Sequence, residues 1–270
     1  MSLLQIAEIF GHDTSIRIEE NVRRNTKCPF LEQPCTKQSK TSPLGICSYS
    51  DGSVATVVCP SRFREAGRIF VDAGRAAFGP NRRVLAVPEV RLLEIPESGR
   101  KIGKIDYVVA LLDEKNDPID FAAVEVQAVY ISGKSTRGPF EHYLRTGEND
   151  ANGRRRPDFR SSAQKRLMPQ LSLKVPVFRR WGKRFFVAVD STFFEAMPKL
   201  PTVPEGNAEV TWLIYPFERG TKGYSMGEPN VRHTLWDDVL TSLREGHPPT
   251  REELLAGLKR AKRAGVIFST

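Results

Sequence analysis

The sequence predicts an α/β (α+β) fold, a strand-rich middle flanked by helical segments, behind a small loop-rich N-terminal unit. Three observations lead to it. All four cysteines lie between positions 28 and 59, among Pro, Ser and Thr. Period-2 apolar segments crowd residues 84–130, and apolar residues at helical spacing precede and follow them. At 270 residues and about 150 residues per domain, the chain divides into a four-cysteine module over 1–61 and a larger core over 62–270.

Residues 1–61 lack long periodic runs, so something other than a large core must hold them. In 62–78, Phe63, Ala66, Ile69, Phe70, Ala73 and Ala77 recur at helical spacing before Gly79 and Pro80. Residues 84–87 and 90–95 read as short strands, followed by 105–112, a turn at Asn116-Asp117-Pro118, and 121–130. Residues 161–181 read as a basic, partly helical segment interrupted at Pro169 and Pro176. Residues 185–189 and 209–216 read as strands. Thr250 with Glu253 makes a capping box before Leu254, Leu255 and Leu258, and Gly265 closes that helix.

Charge narrows the partner. The chain carries 41 Lys and Arg against 32 Asp and Glu, a net +9, which points to a polyanion and to nucleic acid first. Eleven of the bases fall in 151–185 with a single acid, Asp158. With Phe159, Phe178 and Trp181 among them, this block reads as a phosphate-tracking surface rather than a solvated face. No apolar run approaches the roughly twenty residues that cross a membrane. The N-terminal MSLLQIAEIFGHD has no basic lead and carries Glu8 in its apolar stretch, so a cytoplasmic protein is expected.

Four thiolates, from Cys28, Cys35, Cys47 and Cys59, make a complete tetrahedral ligand set. Their Pro and Gly neighbours favour the tight turns that bring sulfurs together. A reducing compartment disfavours two disulfides, clustering argues against four unrelated thiols, and sulfur ligands suit zinc or iron. A closed set of this kind is structural, since it leaves no open position for a substrate.

The hairpin carries the chemistry. A two-residue turn at Asn116-Asp117 sets Asp106 opposite Gln127 and Val108 opposite Glu125. Residues two apart share a strand face, so Asp106, Glu125 and Gln127 converge. Glu125 stands among Ala122, Ala123, Val124, Val126 and Ala128, where an unpaired carboxylate is costly. Two acids on adjacent strands can hold Mg²⁺ for phosphodiester hydrolysis, with Glu89 on the preceding strand as a third acid. The plainer reading is a set of ordinary polar residues on a solvated strand face.

Taken together, Ile9-Phe10-Gly11-His12, Cys28-Pro29-Phe30-Leu31, Cys35, Gly45-Ile46-Cys47, Val58-Cys59-Pro60 and Val124-Glu125-Val126-Gln127 resemble the NotI family of type II restriction endonucleases, within the PD-(D/E)XK nuclease superfamily. The resemblance implies a mixed central sheet flanked by helices and a four-cysteine site occupied by iron. It implies Asp106 and Glu125 as Mg²⁺ ligands, Gln127 in the place usually held by Lys, and Glu89 completing the site. A lysine offers charge, whereas a neutral amide orients by hydrogen bonds. The expected enzyme is a homodimer that cuts both strands of double-stranded DNA at a palindromic, GC-rich site. Guanidinium forks match guanine O6 and N7. Lys134, Arg137, Arg145, Arg154, Arg155 and Arg156, inside a DNA-binding segment over 132–185, are therefore the candidates for base contacts. The competing readings are a non-catalytic DNA-binding protein with a structural four-cysteine metal site, and an RNA-directed nuclease.

Overall fold

The computed structural model describes residues 4–39, 41–95, 97–149, 155–244 and 250–261; Arg154 and Gly265 lie outside the described residues. The N-terminal residues build more than loops. Strands β1 (Gln5–Ile9), β2 (His12–Asp13), β3 (Ile46–Ser50) and β4 (Ala55–Val57) form a four-stranded sheet in the order β2-β1-β3-β4. Its own apolar cluster, with Ile6, Ile9, Phe10, Ile46 and Tyr49, also takes in Phe140 and Tyr143 of helix α2 (Arg137–Thr146). Strands of two to five residues are too short to show a period.

The central sheet has six strands: β5 (Val84–Ile95), β6 (Arg100–Leu112), β7 (Pro118–Val126), β8 (Phe185–Asp190), β9 (Val210–Tyr215) and β10 (Asn230–Thr234). They lie in the order β10-β9-β8-β7-β6-β5. β8 runs parallel to β7 and β9, and the other pairs are antiparallel, so the sheet is mixed. All six residues of β8 (FFVAVD) and of β9 (VTWLIY) are buried, as strands covered on both faces must be. Alternation splits them: Phe185, Val187 and Val189 join one core with Leu171, Val175 and Phe178 of helix α3 (Met168–Arg180). Phe186 and Ala188 join the other, with Ile69 and Ala73 of helix α1 (Arg68–Phe78).

Several local expectations change. The helix expected over 62–78 begins at Arg68, because Ala66 (φ 50°) and Gly67 (φ 67°) turn left-handed and leave a separate 3-10 stretch over Pro60–Gly67. The two short strands at 84–87 and 90–95 are one strand, β5, with Glu89 at φ 58° inside it. Neither proline breaks α3: Pro169 occupies its first turn, where no N–H is needed, and Pro176 sits inside it. Pro176 and Ser172 are exposed, so water can satisfy the carbonyl that Pro176 leaves unpaired.

Beyond the sheet lie α4 (Trp236–Arg244) and α5 (Arg251–Ala261). The capping box of α5 forms, Glu253 N–H donating to Thr250 Oγ1 (3.2 Å) and Thr250 N–H to Glu253 (2.8 Å). Leu254, Leu255 and Leu258 of that helix are exposed. No helix among the described residues is long and apolar enough to cross a membrane.

Candidate active site

The β6–β7 connection is longer than a two-residue turn. β6 ends at Leu112 and β7 starts at Pro118. Asp113 Oδ1 accepts the Lys115 and Asp117 N–H groups (2.9 and 2.8 Å), and Asn116 takes φ 69°, an Asx-type loop. The register is Tyr107↔Val124 and Val108↔Ala123, two residues away from the expected one. Asp106 therefore faces Glu125 across the ladder rather than Gln127. A shift of two keeps every side chain on its face, so the three residues still share one.

The two acids hold each other's strand. Asp106 N–H donates to Glu125 Oε1 (3.1 Å), and Val126 N–H donates to Asp106 Oδ2 (3.0 Å). Glu125 is 4% exposed. Burial first, then the Asp106 charge, pushes its carboxyl up to about 7 against the opposing pull of Lys174. Lys174, on α3 and itself 1% exposed, places Nζ 2.7 Å from Glu125 Oε1. The sequence reading missed Lys174. Its signal was present: Leu171, Lys174, Val175 and Phe178 make one buried helical stripe at i, i+3, i+4 and i+7, with a lysine at a core position.

Glu89 sits between the Pro88↔Tyr107 and Val90↔Ile105 pairs, beside Asp106. It is exposed and ion-paired to Lys104 (2.6 Å), which holds its carboxyl below the usual value by hydrogen bond and charge. Gln127 follows β7, its Nε2 donating to the Ala128 carbonyl (2.5 Å). Glu89, Asp106, Glu125 and Gln127 all line one open cavity of about 620 Å³. Lys165, Arg166 and Gln170 contribute to its lining, and so do Lys37 and Pro60 from the N-terminal module. The Arg166 guanidinium stacks over the Tyr130 ring at 4.4 Å. The cavity thus joins a carboxylate pair to a basic border, an arrangement suited to a phosphate ester and a divalent cation.

The basic residues are spread more widely than their sequence clustering suggests. Lys174, Arg179, Lys183 and Arg184 are ion-paired with Glu125, Glu209, Asp120 and Glu205. Phe178 is buried, and Trp181 packs edge-on against Phe121 and Phe178. Lys134 and Arg137 border a second cavity of about 310 Å³ that shares Lys37, Val129 and Tyr130 with the first. Arg137 donates to Ser42 Oγ and to the Ser42 carbonyl (3.0 Å each), and Arg155 donates to the Ser135 carbonyl (2.8 Å). Arg156 pairs in register with Ser132, and Arg145 lies exposed on α2.

All four cysteines are buried and line one cavity of about 150 Å³, with Phe10 and Leu31 in its wall. Burial pushes the Cys28, Cys35 and Cys47 thiols up, while backbone N–H groups of Phe30 and Leu31, Lys37 and Gly11 act on those three sulfurs in the opposite sense. Among the described residues, no three His, Cys, Asp or Glu side chains are gathered tightly enough, as they stand, to hold a metal ion.

The family model described as restriction endonuclease NotI matches residues 15–227. No curated protein matches the chain.

Proposed function

The chain belongs to the restriction endonuclease NotI family, a type II restriction endonuclease and so a site-specific deoxyribonuclease acting on double-stranded DNA, and from that premise we propose that the acidic cavity is its Mg²⁺-dependent active site. The observation that supports this most is the carboxylate pair: each acid commits one oxygen to the partner strand's backbone and keeps the other for a ligand. Asp106 on one strand and Glu125-x-Gln127 on the next, on a mixed sheet with helices on both faces, support a PD-(D/E)XK reading in which Gln127 replaces the usual Lys. Asp106 and Glu125 would hold Mg²⁺, which when bound would supply Lewis-acid polarisation of the scissile phosphate, a lowered pKa for the attacking water and charge neutralisation at the leaving oxygen. Glu89, across the ladder from Asp106, is the third acid. Gln127 Oε1 orients the water by accepting its hydrogen bond. Lys165 and Arg166 draw the DNA backbone to the cavity.

The enzyme acts as a cytoplasmic homodimer whose twofold axis matches that of a palindromic site. That site is GC-rich, read from 132–185 by Lys134, Arg137, Arg145 and the arginines at 154–156. Incubating the protein with a large GC-rich DNA in Mg²⁺ or in EDTA tests this. Discrete Mg²⁺-dependent fragments are expected, and intact DNA in both lanes, with binding retained, would overturn the reading.

The N-terminal module is in this reading a structural metal unit, with Cys28, Cys35, Cys47 and Cys59 holding iron or zinc. Four sulfurs around one buried cavity, three of them influenced by backbone amides, suit a thiolate set, and metal binding would couple to closure of that cavity. Elemental analysis of freshly reduced protein should find about one equivalent of iron plus zinc. The Cys47→Ser variant should lose the metal and melt at lower temperature; a metal-free protein that melts unchanged on chelation would refute the site.

A further inference from the structure

We infer that Lys174 is a positioning residue of the active site, supplying from helix α3 the cation that the catalytic strand lacks and holding Glu125 in its working orientation. This rests on the assignment of Asp106 and Glu125 to the active site. The strand position two residues after Glu125 carries Gln127, whose side-chain amide donates to its neighbour's carbonyl, so no cation comes from there. Of the cations that line the cavity, Lys165 and Arg166 are exposed and Lys37 gives its ammonium to the Ile46 and Val58 carbonyls; Lys104, next to the cavity, is engaged with Glu89. Lys174 alone of these is buried against the acid pair, 2.7 Å from Glu125.

Packing does not account for this lysine. Its helical neighbours on the buried stripe, Leu171, Val175 and Phe178, are apolar, and replacing a buried ion pair by apolar groups of similar volume is often neutral or stabilising. A pair kept at such a position has a task other than stability. The geometry names it: among the described residues, the Lys174 ammonium and the Asp106 N–H both bind Oε1 of Glu125. Together they fix the rotation of the carboxylate and leave Oε2 for the ligand. Lys174 does this from beneath the sheet, without touching DNA.

The test compares Lys174→Met, Lys174→Arg, Glu125→Ala and the double variant Glu125→Gln/Lys174→Met with the parent protein. In Lys174→Met, single-turnover cleavage should fall by about 100-fold, while Ca²⁺-supported DNA affinity stays within about threefold. The Mg²⁺ concentration for half-maximal rate should rise several-fold, and Lys174→Arg should recover a large part of the rate. The metal-free double variant should melt no lower than the parent, which separates positioning from scaffolding. Cleavage by Lys174→Met within about threefold of the parent at the same Mg²⁺ dependence, with Glu125→Ala inactive, would overturn the inference and leave the site assignment standing. Full activity of Glu125→Ala would instead overturn the assignment. If Lys174→Met fails to fold, Lys174→Gln, which keeps a hydrogen-bond donor without charge, takes its place under the same criteria.

Discussion

Glu125→Ala should abolish DNA cleavage, lowering the rate by about 10³-fold or more, while Ca²⁺-supported DNA binding should stay within a few-fold of the parent. The size follows from what the carboxylate is asked to do. A metal-bound transition state gains several kcal/mol from charge neutralisation, and each 1.36 kcal/mol is tenfold in rate. Asp106→Ala should have the same effect, and each substitution carries a structural cost, since Asp106 Oδ2 accepts the Val126 N–H and Glu125 Oε1 accepts the Asp106 N–H and the buried Lys174 ammonium. If these carboxylates are the proposed Mg²⁺ ligands, the loss should not be rescued by more Mg²⁺. A quenched-flow cleavage assay beside a binding isotherm separates the two quantities. Cleavage by Glu125→Ala at anything near the parent rate would remove the acidic cavity from the mechanism.

Arg62→Ala is the substitution with the largest expected loss of stability, about 3–5 kcal/mol, or on the order of 10 °C in melting temperature for a chain of this size. Arg62 is 1% exposed. Its Nε lies 3.1 Å from both oxygens of Glu8, which is equally buried, and its Nη2 donates to the Tyr224 carbonyl (2.8 Å). A second acid, Glu65, pairs with it at 3.0 Å. The guanidinium plane is also enclosed by two rings, Phe30 at 4.5 Å and Phe217 at 5.0 Å. Removing it strands Glu8 in the interior. Burial already raises the Glu8 carboxyl above its usual value with Arg62 present, and without Arg62 it must take up a proton. A raised folded-state pKa means that the native protein binds more protons than the unfolded chain between the two values, so the damage grows as pH rises through that window. Thermal melting at two pH values checks both parts, and a melting temperature within about 2 °C of the parent at each would contradict the account.

The grouping of Asp106, Glu125 and Gln127 was legible from sequence for a reason that also limited it. Alternation of side chains across a strand survives any even error in register, so Asp106, Glu125 and Gln127 could be placed on one face although the loop length was misjudged. The loop was misjudged because Asp113, four residues before the assumed turn partner Asp117, organises it by accepting two backbone N–H groups. Lys174 escaped because it was counted as one charge in a basic block, and charge counting ignores partners. Arg179, Lys183 and Arg184 were over-read in the same way, since Glu209, Asp120 and Glu205 reach them from other elements. The meeting of the four cysteines around one cavity was legible from their clustering and their Pro and Gly neighbours. The four-stranded sheet, which carries Cys47, was not, because strands of two to five residues depend on tertiary partners rather than on any periodic signal.

Lys37 and Pro60 border the acidic cavity, Lys37 being fixed there by hydrogen bonds from its ammonium to the Ile46 and Val58 carbonyls (2.6 and 3.0 Å). Asp190, at the end of β8, accepts the Val57 N–H at 2.7 Å. The N-terminal unit is therefore part of the floor plan of the cleft and not an appendage to it. A cut near residue 61 would separate the wall from the chamber, so residues 62–270 on their own would lack one border of the cleft.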